Sequence, residues 1–587
     1  MQTLTRRAFL VSTVGAALSA SAAQPPNIVV ILTDDQGWWD VGAQGNRDIE
    51  TPVMDRLAAE GVRFHRFYAC PVCAPTRASL LTGRYYLRTG VYNTRFGGDA
   101  MDTAEVTIAE VLRRRGYRTG VFGKWHLGPF PYQGPRKRGF EQSLTFTTGH
   151  TERYYYPDQL AADGRRVRAR GHITDVLTDA AVAFIEAERA RPFFLYLAYN
   201  VPHSPNFISN PWVEHYLKKG VALNDAQIYG MISHCDAAIG RLLATLDRDG
   251  LRDNTVVLFL SDNGGVSKHF RAGLRGAKGS AFEGGIRVPF FARWPGHFPA
   301  GAQVDAMASV MDLFPTLCRI AGAAPPAGRA LDGRSILPLL EKGGGESPHE
   351  YLCHIWDRFR PSLASNWSIT GKRFKLAGKQ LFDLAADPGE KRNVAAQHPE
   401  IADDLRRRFE AWLAEMTRGR SFQPAPIEIG HADEPVVEIQ PSWARCSATH
   451  VTWSSPGMGS DAPEQPLPGA TGSGANYTFA GYDWDTIDGW SRPGDAVEWS
   501  IRVLAPAAYR VTLSYGAAQA GGVVRISAGA AGVDHTVEAT GGRNLFQTRP
   551  AGALRLAKGD AMLRVAVTRG HGHEVMALNK IRLERIP

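Results

Sequence analysis

Several stretches of the chain run predominantly apolar, with no polar alternation, and then turn abruptly polar. NIVVILTDDQG (27–37) runs into Asp34 and Asp35, and NTVVLFLSDNGG (254–265) runs into Asp262 and Asn263. YRTGVFGKWHLG (117–128) delivers Lys124 and His126, and PFFLYLAYNVPH (192–203) delivers His203. A strand with no polar face is covered on both sides, as in a mostly parallel sheet flanked by helices. TIAEVLRRRG and IGRLLATLDRDG, between the strands, carry the helical period. In such a sheet ligands bind beyond the carboxyl ends of the strands. One apolar strand followed by an aspartate is commonplace, but four strands delivering polar groups at the same end predict a single site.

From about residue 330 the pattern changes. RFKLAGKQLFDLAADPGEKRN reads as short antiparallel strands and a turn. HPEIADDLRRRFEAWLAEM carries a helical stripe of Ile401, Leu405, Phe409, Trp412 and Met416, with Pro399 suited to the first turn. This predicts a small α+β subdomain over 331–420 that closes a catalytic domain of 24–330. Residues 421–435 read as a linker, rich in Pro, Gly and charge. Beyond it, EWSIRVLAPAAYRVTLSYGAA and AMLRVAVTRGHGHEVMALNKIRLERI alternate in strand fashion between Gly-rich turns, which predicts a β-sandwich over 436–587. Its Trp484, Trp490 and Trp499 are candidates for stacking on sugar rings, against the plainer reading as core.

The length of 587 residues calls for two or three domains, and the net charge of +9 with no block of like charge gives no sign of a nucleic-acid partner. MQTLTRRAFLVSTVGAALSASAA (1–23) has a basic start at Arg6-Arg7, an apolar stretch and an A-x-A end, the make-up of an export signal of twin-arginine type. No later run has the roughly 18 apolar residues of a membrane span. A periplasmic or secreted bacterial protein is expected. The six cysteines are too scattered for a disulfide scaffold, which leaves CPVCAPTRASLLTGRY (70–85) to explain. A zinc site needs a second ligand pair at metal spacing, and none is present.

Cys73-Ala74-Pro75-Thr76-Arg77, continuing to Leu80-Leu81-Thr82-Gly83-Arg84, resembles the C-x-P-x-R signature of the formylglycine-dependent sulfatases. TDDQG, GYRTGVFGKWHLG, NVPHSP, LSDNGG and LRGAKGSAFEGGIRVPF resemble further blocks of that family in its order, over about 25–390. Thr76 departs from the more usual Ser and leaves Cys, Pro and Arg in place. The resemblance implies an alkaline-phosphatase-like α/β fold and oxidation of Cys73 to an aldehyde by a formylglycine-generating maturation enzyme. Hydrated to a gem-diol, the aldehyde would attack sulfur with one hydroxyl and expel sulfate with the other. A serine could perform only the first half.

The same resemblance places a divalent cation, Ca²⁺ or else Mg²⁺, on Asp34, Asp35, Asp262 and Asn263 with the residue derived from Cys73. An all-oxygen set suits a hard cation. Arg77 would hold the diol, Lys124 and Lys278 the sulfate oxygens, and His126 the diol proton. His203 or Lys278 would protonate the leaving oxygen. Arg95, His150, Tyr154, His269, Arg271, Trp356 and Arg358 could line a pocket, and TFTTGH (145–150) could lend a hydroxyl. Export and the sandwich point to sulfated carbohydrate, with aryl sulfates also accepted. The alternatives are a phosphodiesterase or phosphonate hydrolase of the same superfamily, or a non-catalytic glycan-binding protein. Because every site residue precedes the linker, chemistry on a small ester is expected not to need the sandwich.

Overall fold

The structure, a computed structural model, describes residues 24–95, 97–149, 151, 153–157, 159–358, 360–446, 452–454 and 486–587. The export segment, His150 and Trp484 lie outside the described residues.

A ten-stranded sheet forms the centre of the catalytic layer. In chain order its strands are β1 (Asn27–Thr33), β2 (Val62–Phe64), β3 (Arg118–Lys124), β4 (Gln142–Phe146), β5 (Ala161–Ala162), β6 (Arg165–Arg166), β7 (Phe193–Ala198), β8 (Thr255–Ser261), β9 (Phe290–Arg293) and β10 (Ala302–Val304). They lie side by side as β10-β2-β9-β8-β1-β7-β3-β4-β5-β6. The central strands β8-β1-β7-β3-β4 are parallel, whereas β9 runs antiparallel to both its neighbours.

The all-apolar strands follow from the two cores they serve. In β1, Ile28, Val30 and Leu32 face one core, with Ala74, Ala78 and Leu81 of α1 (Cys73–Thr82) and Leu112 of α2 (Ile108–Arg114). Val29 and Ile31 face the other, with Leu177 and Phe184 of α3 (Ile173–Glu188) and Ile232 and Leu242 of α4 (Leu223–Arg248). Each such buried side chain contributes about 1.5–3 kcal/mol, so the interior of β1, from Ile28 to Leu32, is apolar and its polar residues stand at the two ends. The register then aligns the exits: Thr33 pairs with Ser261, and Lys124 with Phe146.

The following unit is a four-stranded antiparallel sheet of β11 (Tyr351–Trp356), β12 (Asn366–Gly371), β13 (Phe374–Ala377) and β14 (Gln380–Asp383), covered by α5 (Pro399–Thr417). In α5, Leu405, Phe409, Leu413 and Met416 are buried, and Phe409 stacks on Trp367 at 4.1 Å. Ile369, Leu376 and Leu381 join the same core as α1. Lys375, fully buried, bridges Glu390 at 2.9 Å and Glu283 of the catalytic layer at 3.0 Å. Leaving either charge unpaired at that depth would cost several kcal/mol.

Among the described residues the C-terminal region is built from two six-stranded sheets. Val497, Trp499 and Ile501 from one sheet and Val511, Leu513 and Tyr515 from the other meet in a single core. Trp490 and Trp499 are at most 1% exposed, and their indole N–H groups donate to the carbonyls of Ile487 (2.8 Å) and Gln440 (3.0 Å). Neither can stack on a sugar: Trp499 faces inward from its strand, and Trp490, two residues past the strand Thr486–Asp488, turns into the same core. The segment expected as a linker is also structured: Ile427–Ile429 pairs in parallel with Ile501–Val503. The sandwich therefore begins within that segment, and its core extends to Ala100, Phe130 and Tyr132 of the catalytic layer.

Candidate active site

Helix α1 begins at Cys73 because Val72 is still extended (φ −147°), and Pro75 sits in the first turn, where a missing N–H costs nothing. Gly83 ends the helix in the left-handed conformation (φ 69°), its N–H donating to the Ser79 carbonyl at 2.9 Å. The i, i+4 spacing puts Arg77 on the same face as Cys73. The positive end of the helix dipole thus lies at residue 73, where it favours negative charge.

The strand exits meet this helix end. Metal-ligating atoms of Asp34, Cys73 and Asp262 all lie within 4.8 Å of one another, as do those of Asp34, Asp35 and His203. Arg77, fully buried, donates to Asp262 at 2.8 Å, lies 3.6 Å from Asp34, and donates to the Lys124 carbonyl at 2.8 Å. Lys124 Nζ donates to Asp34 at 2.5 Å. Lys278 Nζ lies 2.7 Å from Asp35, which also accepts from Asn263 Nδ2 at 2.9 Å. Asp35 has φ 67° and His126 φ 55°, two non-glycine residues held in the left-handed region at the site.

The electrostatics divide these groups. Burial and the neighbouring Asp34 push Asp262 up to about 6, and burial raises Asp34 despite Lys124. Asp35 is held below the ordinary carboxylate range, since Lys278, His203 and Asn263 outweigh its burial. Lys278 is held protonated: burial acts against its charge, but Asp35 prevails. Burial pulls both His126 and His203 down to about 3, aided by Lys124 and Lys278 respectively. Both imidazoles are therefore neutral. His126 Nε2 faces the Thr94 carbonyl at 2.8 Å, a bond only N–H can make, so Nδ1 bears the lone pair. His203 Nδ1 likewise faces the Ser204 carbonyl at 2.8 Å.

The donor set fits a divalent cation. Three carboxylates share a buried space, and Asp34 Oδ1 and Asn263 Oδ1 are buried there without a partner among the described residues. Two of the three acids resist ionisation, which a cation between them would reverse.

All the site residues named from the sequence come together here. Those missed are mostly backbone: the Thr94 carbonyl on His126, and the Val201 carbonyl accepting from Asp34 N–H at 3.0 Å. A carbonyl carries no residue identity, so no sequence signal marks it. Asp99 stands 4.0 Å from His126 Nε2. Of the candidate pocket residues, Tyr154 is fully buried and donates to the carbonyls of Asn200 (3.0 Å) and His203 (2.5 Å), holding the His203 loop. Trp356 lies against Gly279, next to Lys278. Burial and, to a lesser degree, the charge of Arg95 push Arg358 down to about 10. His269 instead pairs with Asp48 at 3.1 Å, and Arg271 donates to the Ser267 carbonyl at 3.3 Å. Gly149, in the stretch expected to lend a hydroxyl, lies against the His126 ring, where a Cβ would stand 3.2 Å from two ring atoms.

Cys70 is separate from this machinery. It is buried, its Sγ lies 3.8 Å from Ser79 Oγ, and burial pushes its thiol up to about 12. Its backbone N–H donates to Thr76 Oγ1 at 2.9 Å, the bond that Thr76 supplies in this chain. Cys70→Ala is expected to leave sulfate-ester turnover within a few-fold of wild type, measured as sulfate release. A loss matching that of a Cys73 variant would revive a joint role for the two cysteines.

A mostly parallel sheet thus gathers buried carboxylates, cations and a helix-borne cysteine at its carboxyl edge. Residues 26–323 match the sulfatase family, and residues 277–416 match the family described as N-sulphoglucosamine sulphohydrolase, C-terminal. Both matches end before the sandwich. The chain is 31% identical to mouse N-acetylgalactosamine-6-sulfatase over 75% of its own length and 92% of that protein. It is 32% identical to human arylsulfatase A over 72% of its length and 94% of that protein. Among solved structures it resembles Ps i-CgsB, with 33% identity, a TM-score of 0.62, and coverage of 66% of this chain and 93% of that one. Ps i-CgsB has also been solved in complex with k-i-k-neocarrahexaose. The chain belongs to the sulfatase family and is a sulfuric ester hydrolase.

Proposed function

We propose that this chain is an exported sulfatase of sulfated carbohydrates that works through a formylglycine derived from Cys73 and a divalent cation, Ca²⁺ ahead of Mg²⁺. The observation that carries this reading is the placement of Cys73, at a helix N-terminus and against Asp34 and Asp262. Asp34, Asp35, Asp262 and Asn263 would hold the cation beside residue 73. When bound, the cation supplies positive charge that lowers the pKa of a neighbouring hydroxyl and offsets the charge of the ester. The hydrated aldehyde supplies one hydroxyl to attack sulfur and a second to release sulfate.

The chain's own groups do the rest. Arg77, fixed by Asp262 and the Lys124 carbonyl, holds the nucleophilic hydroxyl and offsets its charge. Lys124 and Lys278 bind the sulfate oxygens, where charge must be held through the transition state. His126 accepts the diol proton at Nδ1, which has no partner among the described residues. The exposure of the side chains orients the ester. Asp34, Arg77, Lys124 and Asp262 are fully buried, while Lys278 and His203 are 24% and 14% exposed. The sulfate therefore sits at the closed end and the leaving alcohol at the open one. Lys278 and His203, the two groups at the open end, are the candidates to protonate the departing oxygen.

A carbohydrate substrate is supported by the names of the relatives, N-acetylgalactosamine-6-sulfatase among them, and a separate cleft lined by no catalytic residue offers room for a longer sugar chain. This cleft, of about 730 Å³, runs beside Thr145–Thr148 and is walled on its far side by Asp433, Glu434, Glu438, Gln440 and Lys580 of the C-terminal region. Such a mixture of amide, hydroxyl and carboxylate groups suits sugar hydroxyls. The test is sulfate release from a panel of defined sulfated oligosaccharides and aryl sulfates beside matched phosphate and phosphonate esters. Preference for sulfate esters of sugars supports the reading; preference for phosphorus esters overturns it.

Among the described residues no helix is long and apolar enough to cross a membrane. Export by the twin-arginine route would carry the chain out already folded, after a maturation enzyme has acted on Cys73 in the cytoplasm. Arg6-Arg7→Lys-Lys is then expected to retain active enzyme inside the cell. Unchanged export, followed by cell fractionation, would favour the general secretion route instead.

A further inference from the structure

Among its contacts with the catalytic layer, the C-terminal region makes a small aromatic one to the loops that carry Gly97 and Phe130. Trp443, in the short turn Pro441–Trp443, is 7% exposed and meets Phe130 edge to face, with centroids 5.0 Å apart. Its other side lies against Gly97. A Cβ there would stand 3.2 Å from two atoms of the Trp443 ring and 2.8 Å from Pro424 Cβ. Gly97 also has φ 74°, so both the backbone and the space require glycine.

One of these loops carries the Thr94 carbonyl that His126 Nε2 faces, and the other continues from His126 itself. In the first, the N–H groups of Tyr92 and Asn93 donate to the Gly98 carbonyl at 2.8 and 2.9 Å, and Gly98 N–H donates to the Arg95 carbonyl at 2.9 Å. That turn presents the Thr94 carbonyl to His126 Nε2 at 2.8 Å, and Asp99 follows it. The second loop continues from His126. Leu127 accepts from Met101 N–H at 3.3 Å, and Phe130 stacks on Tyr132 at 5.6 Å. Tyr132 in turn stacks on His431 at 4.8 Å, and its hydroxyl accepts from Glu428 N–H at 3.1 Å. Ala100, Phe130 and Tyr132 are thus part of the sandwich core rather than of the cores flanking the central sheet.

His126 needs such support. It sits at φ 55°, a conformation that costs a β-carbon-bearing residue about 1–2 kcal/mol and persists only where its surroundings fix it. We propose that Trp443 is a positioning residue for the reaction: the sandwich buttresses the loops of Thr94 and Phe130 and so sets the His126 ring. On this view the appended domain is part of the catalytic unit although it touches no reacting atom. The inference rests on the role given to His126 above, and it reverses the expectation that a small ester needs only the catalytic layer.

The test uses full-length, matured protein and 4-nitrophenyl sulfate. Trp443→Ala is expected to lower kcat by about 10–100-fold, the scale of an ångström-sized misplacement, with KM little changed. Trp443→Phe, which keeps a ring against Phe130 and Gly97, should recover most of that loss. Leu563→Ala, in the same sandwich core but on the strand Gly559–Arg569 rather than in the turn that meets Phe130 and Gly97, should lower thermal stability while leaving kcat per folded molecule intact. The ring carbon resonance of His126, in protein labelled at histidine Cε1, reports the same point without any substrate. It should move in Trp443→Ala and stay in Leu563→Ala. An unmoved resonance or wild-type kcat in folded Trp443→Ala overturns the buttress, and so does equal loss in both variants with no rescue by Phe. A wild-type protein that hydrolyses no sulfate ester counts against the proposed function, while the resonance still decides the buttress.

Discussion

Cys73→Ala is expected to lower sulfate-ester turnover by at least about 10⁴-fold, the scale on which losing a covalent nucleophile is felt. The fold should survive, because the change removes one sulfur at the first residue of a helix whose stability rests on Ala74, Ala78 and Leu81 in the core. What remains after substitution is a charged cradle: Arg77, Lys124 and Lys278 still bind an anion, so the variant should bind sulfate esters that it cannot cleave. Retained turnover in Cys73→Ala would mean that water or another side chain attacks sulfur directly.

The second large effect is expected at Asp262. Asp262→Ala would leave Arg77 with a buried charge short of its 2.8 Å partner, a change that costs about 3–5 kcal/mol and confuses folding with function. Asp262→Asn keeps an acceptor for Arg77 and removes only the negative charge. Weakening the hydrogen-bond partners of metal ligands already costs about 10–100-fold in affinity or activity, so losing a ligand's charge should cost at least about 100-fold in kcat. Metal analysis should show the bound cation falling from one per chain toward none, a readout independent of turnover. Full occupancy and full activity in Asp262→Asn would place the cation elsewhere.

The site was legible in the sequence to the extent that its residues follow strand exits. Asp34, Lys124 and Asp262 each leave a strand buried on both faces, and the parallel register brings those exits together. The i, i+4 pair Cys73 and Arg77 could be placed on one helix face for the same reason. The sandwich was legible only as alternation. Alternation marks which residues turn inward but not what lies beyond the edge, so Trp490 and Trp499 were open to a sugar-binding reading until their burial was seen. The docking of the sandwich was hidden altogether. It brings together residues far apart in sequence, Gly97, Phe130, Tyr132 and Trp443 among them, each with an ordinary local explanation. The carbonyls that orient His126 and Asp34 were equally invisible, since geometry and not residue type selects them.

The measurement that tests the central claim most directly is the mass of the peptide containing residue 73, taken from protein whose sulfate release has been measured. The account predicts that residue 73 has lost sulfur and two hydrogens and gained one oxygen, and that the modified fraction tracks activity from preparation to preparation. An intact thiol at Cys73 in fully active protein would contradict it.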